Sequence, residues 1–128
     1  MGVGRMTIRD ELDAINAGMA RAVAEQDARQ FASYYADDAR VLSEELPIIR
    51  GRAGIEAEVR DWVANGPLTL RFETGDVIVD GSLVVDAGRI ISPTGRSRYV
   101  VVYRRQPDGS LKIAVDAGSS DGPSAASG

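Results

Sequence analysis

The sequence contains neither cysteine nor histidine. Without thiols there can be no disulfide, thiolate nucleophile, iron–sulfur cluster or zinc–thiolate site. Without imidazole the chain lacks the commonest general base and the commonest metal ligand, and a Ser–His–Asp triad is impossible. Acid–base chemistry must come from Asp, Glu, Tyr, Lys or a bound cofactor, although no metal or cofactor is expected. Lysine is almost missing: of 15 basic residues only Lys112 is one. The formal net charge is −4, with no segregated basic block, so a nucleic-acid partner is not expected. No apolar run approaches bilayer length. The first six residues lack the apolar core of a signal peptide, so the expected location is the cytoplasm, without membrane association. Phosphate-cradling glycine motifs are missing too; Gly2-Val3-Gly4 has neither the preceding strand nor the following helix that a dinucleotide fingerprint needs.

What is present describes one domain. The chain has 128 residues, 44% of them hydrophobic and 27% charged, which are ordinary globular values. Residues 1–6 read as a flexible lead-in, 7–118 as the domain, and 119–128, rich in Ser, Gly and Ala, as a disordered tail. Thr7 with Asp10 and Glu11 is a helix start, and Ile8, Leu12, Ile15, Met19 and Val23 recur at helical spacing, predicting a helix over about 7–25. Asp27 caps a second helix over about 28–36, which Asp37 and Asp38 should end because negative charge is unfavourable at a helix C-terminus. Ala39 to Leu42 and Ile48 to Arg50 read as short strands. Ile55, Val59, Trp62 and Val63 mark a third helix over about 52–64, ended by Asn65-Gly66-Pro67.

After Pro67 the period changes. Leu68, Leu70 and Phe72 alternate with polar residues, and Val77 to Val79 continues the strand. Asp80-Gly81 signals a hairpin. Leu83–Ile91, Tyr99–Arg105 and Leu111–Ala117 are further strands, separated by turns at Pro93-Thr94-Gly95 and Pro107-Asp108-Gly109. Helices first and a meander of long strands after them predict an α+β domain, with three N-terminal helices packed on one face of a curved, mostly antiparallel sheet.

Three segments carry a family resemblance. Tyr35-Ala36-Asp37-Asp38-Ala39 resembles the segment that leads into the first strand of SnoaL-like and ketosteroid-isomerase-like proteins. Ile49-Arg50-Gly51-Arg52-Ala53-Gly54-Ile55 is similar to the entry to their third helix. Tyr99 to Arg105, with Asp108-Gly109 and Leu111-Lys112-Ile113, looks like their last hairpin. Over residues 8–121 the chain thus resembles the nuclear-transport-factor-2-like, SnoaL-like superfamily. The resemblance implies a cystatin-like cone enclosing an apolar cavity, and a homodimer joined through the outer sheet face. It further implies a small apolar ligand, polyketide-like or terpenoid-like, acted on by a cyclase, isomerase or hydrolase, or simply held by a non-catalytic binding or dimerisation domain.

The resemblance also bears on single residues. Where ketosteroid isomerases carry their aspartate base this chain has Ser43, and where they carry the oxyanion tyrosine it has Met19, so that constellation is not reproduced. An epoxide-hydrolase arrangement needs two carboxylates bridged by an arginine; Asp86, Arg89 and Asp116 supply those residue types on strands, and the plainer reading makes Asp86 and Arg89 solvated strand ends. Asp116 lies in an otherwise apolar strand. Period-2 counting puts it on one face with Lys112 and Ala114, and if that face looks inward, burial would raise its pKa and poise it for proton transfer. Tyr99 and Tyr103, four apart, share a face with Val101 between them and could polarise a ligand carbonyl, or merely fill the core. Tyr35 and Trp62 are candidate cavity walls.

Overall fold

The computed structural model describes residues 6–44 and 46–120. Helix α1 spans Ile8–Ala24 and opens with a capping box: Asp10 N donates to Thr7 Oγ1 at 3.0 Å, and Thr7 N donates to Asp10 Oδ2 at 3.2 Å. Its buried stripe contains Leu12, Met19, Ala22 and Val23, but also the polar Asn16. Helix α2 is only Ala28–Ala32, with Asp27 Oδ1 accepting from Gln30 N at 3.0 Å. It stops earlier than residue 36 because Tyr35 already belongs to the sheet, where strand β1 runs Tyr35–Ser43 opposite Ile113. Asp37 and Asp38 therefore lie on a strand, where Arg52 and Arg104 pair with them at 2.7 and 3.2 Å. Strand β2, Leu46–Arg50, returns antiparallel to β1. Gly51, at φ 82°, turns the chain into α3, Arg52–Trp62.

Four long strands complete the sheet: β3 Arg71–Asp80, β4 Leu83–Ser92, β5 Gly95–Arg105 and β6 Leu111–Ser120. Leu68 and Leu70 precede β3 outside regular structure and pack on the core. The hairpin expected at Asp80-Gly81 is present, with Gly81 at φ 61°. Ser119 and Ser120 continue β6 opposite Arg98 and Ser97; residues 1–5 of the expected lead-in and 121–128 of the expected tail lie outside the described residues. The sheet order is β2-β1-β6-β5-β4-β3, antiparallel throughout except for the parallel β1–β6 pair.

The helices cover the inner face, and the core of Leu12, Val23, Phe31, Val59, Tyr103 and Ile113 sits between the layers. Arg105 fastens one end, donating from Nη1 and Nη2 to the Glu11 carboxylate at 2.6 and 3.0 Å. Among the described residues no helix is long and apolar enough to cross a membrane.

Two β-bulges decide which side chains face inward. In β6 the register moves from Val102↔Val115 to Tyr103↔Ile113, leaving Ala114 as an extra residue. In β3 it moves from Glu73↔Arg89 to Asp76↔Ala87, with Thr74 and Gly75 opposite Gly88. A bulge re-aims the chain by one residue. Asp116 is consequently not on the face of Lys112, where strict alternation would put it. It shares the inner face with Ile113, and both line the interior cavity.

Candidate functional site

The space between helices and sheet narrows to a cavity of about 100 Å³. Asn16 and Met19 of α1, Phe31 of α2 and Trp62 of α3 form its helical wall. The sheet contributes Phe72, Ile90, Tyr99, Val101 and Tyr103, then Ile113 and Asp116 from β6, with Tyr35 from β1. The wall is mostly apolar, and Phe31 is its hub: its ring centroid lies 5.8 Å from Tyr35, 6.3 Å edge-on from Trp62 and 6.4 Å from Phe72. Trp62 is 44% exposed, with Nε1 donating to Glu58 Oε2 at 3.0 Å, so it stands at the rim.

One row of cross-strand partners on the inner face runs Asp86, Val101, Asp116. The two acids are therefore two strands apart, about 10 Å between backbones, and each holds a tyrosine. Tyr35 donates its hydroxyl to Asp116 Oδ2 at 2.6 Å. Burial pushes the Asp116 carboxyl above the ordinary aspartate range, and the Tyr35 hydrogen bond opposes that shift in part. Tyr35 itself is raised well above a free phenol, first by burial and then by the neighbouring Asp116 charge. An acid whose charged form is disfavoured, facing an apolar space, is suited to taking and returning a proton.

Asp86, fully buried, is committed to the scaffold. Its Oδ1 accepts from Gly75 N in the β3 bulge at 2.8 Å, and its Oδ2 accepts from the Tyr99 hydroxyl at 2.7 Å. The same hydroxyl lies 2.9 Å from the Glu73 carbonyl oxygen. Burial, and then Asp86, raise the Tyr99 pKa. Arg9 Nη2 donates to the Gly75 carbonyl oxygen at 2.8 Å, so α1 holds this bulge from the other side. Gly88 is required here: a Cβ on it would lie 2.2 Å from the Glu73 carbonyl oxygen and 2.5 Å from the Tyr99 hydroxyl.

Tyr103 differs from the other two tyrosines. Its ring is buried and its pKa is raised by burial and then by Asp86 and Asp116, yet its hydroxyl has no hydrogen-bond partner among the described residues. No fully buried side-chain polar atom among them lacks a partner. The Tyr103 hydroxyl must therefore open onto accessible space, which here is the cavity it lines. Asn16, 5% exposed, also lines that space. Sequence reasoning passed over it; the available signal was an amide in the middle of the apolar stripe of α1.

Of the residues singled out from sequence, the cavity brings together Tyr35, Trp62, Tyr99, Tyr103 and Asp116, with Asp86 supporting Tyr99. Ser43 is exposed at the end of β1 and does not line it. Arg89 is also absent from it. It lies exposed on β4 at a wider, open groove of about 690 Å³, together with Arg98 and Glu73. That groove is larger, but solvent screens its charges, whereas the enclosed cavity shelters a carboxyl and a hydroxyl from water. The cavity is the candidate site. Among the described residues no cluster of acids could hold a metal ion.

Solved structures share this architecture. A domain of unknown function with a cystatin-like fold from Nostoc punctiforme is 20% identical, with a TM-score of 0.75 over 91% of this chain and 80% of that one. A nuclear-transport-factor-2-like protein from Novosphingobium aromaticivorans is also 20% identical, with a TM-score of 0.70 over 93% and 86%. A ketosteroid-isomerase candidate from Parabacteroides distasonis, again 20% identical, reaches 0.73 over 91% and 90%. At such identities the likeness speaks to the fold. No curated protein sequence matches the chain. The SnoaL-like domain matches residues 16–114, which hold the cavity wall from Asn16 to Ile113, and the chain belongs to that family.

Proposed function

We propose that the cavity binds a small, neutral, largely apolar molecule and acts on it by proton transfer, as an isomerase, cyclase or hydrolase would. The observation that carries this reading is Asp116: a carboxyl with raised pKa, aimed into an apolar cavity by a bulge and held by the Tyr35 hydroxyl at 2.6 Å. Asp116 is the proton acceptor and Tyr35 positions it. Tyr103, with its hydroxyl hydrogen uncommitted, suits the polarisation of a ligand carbonyl better than Tyr99, whose hydrogen is committed to Asp86 or the Glu73 carbonyl. A cavity of about 100 Å³ favours a small ring or short chain over a steroid; an engineered cavity of about 150 Å³ accepts benzene.

The test is a screen of small cyclic enones and epoxides for turnover. Asp116→Asn should abolish any activity found while leaving the fold intact, and Tyr103→Phe should lower kcat about a hundredfold, as loss of one oxyanion donor does. Unchanged turnover in Asp116→Asn ends the proposal. A non-catalytic binding domain of the same fold is the second reading, favoured by the commitment of Asp86 and Tyr99 to the scaffold; ligand binding without turnover across the screen would select it.

The outer sheet face supports a homodimer. Ile78, Val85, Val102 and Val115 form one apolar row across four strands, next to Ala87, Val100 and Ala117. Ile78 and Val100 are 64% and 45% exposed, which a second copy of the chain would cover.

A further inference from the structure

Asn16 is a buried amide whose orientation is fixed by hydrogen counting. Thr74 Oγ1 donates to Asp13 Oδ1 at 2.6 Å. That uses the only hydrogen of the Thr74 hydroxyl, so toward Asn16 this oxygen can only accept. The atom of Asn16 that lies 3.0 Å from it must therefore be the nitrogen, as Nδ2. The chain Asn16, Thr74, Asp13 thus settles which way the amide points, a choice that is open when an amide has no such neighbour. Oδ1 is the polar atom left over. The amide also makes a hydrogen bond to the Tyr99 hydroxyl that lowers the pKa of that phenol, so Asn16 is the donor there and Nδ2 is used again. Oδ1 accepts from no described donor, and since no fully buried polar atom lacks a partner, it too opens onto the cavity that Asn16 lines.

We propose that Asn16 determines specificity: its Oδ1 accepts a hydrogen bond from a hydroxyl group on a small neutral ligand. The proposal rests on the reading of the cavity as a ligand site and adds the ligand's class. The site holds two uncommitted polar atoms besides the Asp116 carboxyl, an acceptor on α1 and the Tyr103 hydroxyl on β5. A hydroxylated ligand satisfies both, donating to Asn16 and accepting from Tyr103. A ketone or ether of the same shape satisfies only Tyr103 and leaves the amide oxygen without a partner. Unmade hydrogen bonds of this kind are what separate such ligand pairs.

Cyclopentanol and cyclopentanone are suitable probes: both have six heavy atoms, as benzene does, both are neutral, and they differ at one group. Their affinities for the full chain are measured by titration in amide-resolved NMR spectra. Cyclopentanol should bind about tenfold more tightly, the effect of one buried hydrogen bond and its unpaired alternative. In Asn16→Leu the preference should fall to within about twofold by the same principle. The wild-type comparison stands alone if that variant does not fold. Equal affinities in the wild-type protein, or an undiminished preference in a folded Asn16→Leu, overturn the role of Asn16 and leave the cavity reading intact. Failure of both probes to shift any cavity resonance overturns the cavity reading, and this proposal with it.

Discussion

Three tyrosines line one cavity, yet removing their hydroxyls should not cost the same. Tyr35→Phe deletes a 2.6 Å hydrogen bond to a buried carboxyl. Bonds to such groups contribute about 1.5–3 kcal/mol, and the acceptor left behind is desolvated. Tyr99→Phe deletes a donor placed 2.7 Å from Asp86 Oδ2 and 2.9 Å from the Glu73 carbonyl oxygen, with a loss of the same order. Tyr103→Phe removes a hydroxyl that bonds to no described residue, so it should change stability by no more than about 0.5 kcal/mol. For a domain of this size 1 kcal/mol moves Tm by about 4 °C. Tyr35→Phe and Tyr99→Phe should then melt roughly 6–12 °C below the wild type, and Tyr103→Phe within about 2 °C of it. Thermal unfolding followed by circular dichroism, with urea titration as a second measure, reads the order directly. The Tyr35 bond favours the ionised form of Asp116, so the loss in Tyr35→Phe should be larger at neutral pH than in acid. A Tyr103→Phe variant as damaged as the other two would refute the assignment of free and committed hydroxyls.

Other expectations follow from the same geometry. Asp116 binds its proton more tightly in the folded chain than unfolded, so its favourable contribution is complete below the unfolded pKa and is lost as pH rises through the folded one. Asp116→Asn should therefore stabilise the protein at neutral pH and much less in acid; urea midpoints across pH that show the reverse trend would contradict the burial argument. Gly88→Ala should cost about 3 kcal/mol or prevent folding, because its Cβ would meet the Glu73 backbone carbonyl; a wild-type Tm in that variant would disprove the close strand approach. On the outer sheet, Ile78→Glu combined with Val100→Glu should convert a dimer to a monomer in light scattering with little change in fold. A wild-type protein that is already monomeric at working concentration defeats the dimer.

Much of the fold was legible because local chemistry and global structure agree. Thr7, Asp10 and the apolar stripe specify α1, and the alternation in Tyr99, Val101 and Tyr103 specifies a strand with one buried face. The second helix was overextended because Phe31, Tyr34 and Tyr35 satisfy helical spacing. What shortens it is the parallel pairing of Tyr35 with β6, a contact 78 residues away along the chain. The same pairing lets Asp37 and Asp38 sit beside arginines on a strand instead of at a helix end.

The sequence by itself determined that this chain would be an α+β domain of the SnoaL-like family. It also determined that any side-chain acid–base group would be a carboxyl, a phenol or the amine of Lys112, because side-chain periodicity and composition are local properties. Which of those groups meet was a tertiary decision. Strict period-2 counting placed Asp116 beside Lys112, and one extra residue at Ala114 turned it into the cavity. The bulge at Thr74 and Gly75 created the backbone N–H that binds Asp86, which in turn holds Tyr99 and leaves Tyr103 free. Bulges depend on how neighbouring strands are registered, and register is fixed only once the sheet, the helices over it and their side chains have packed together.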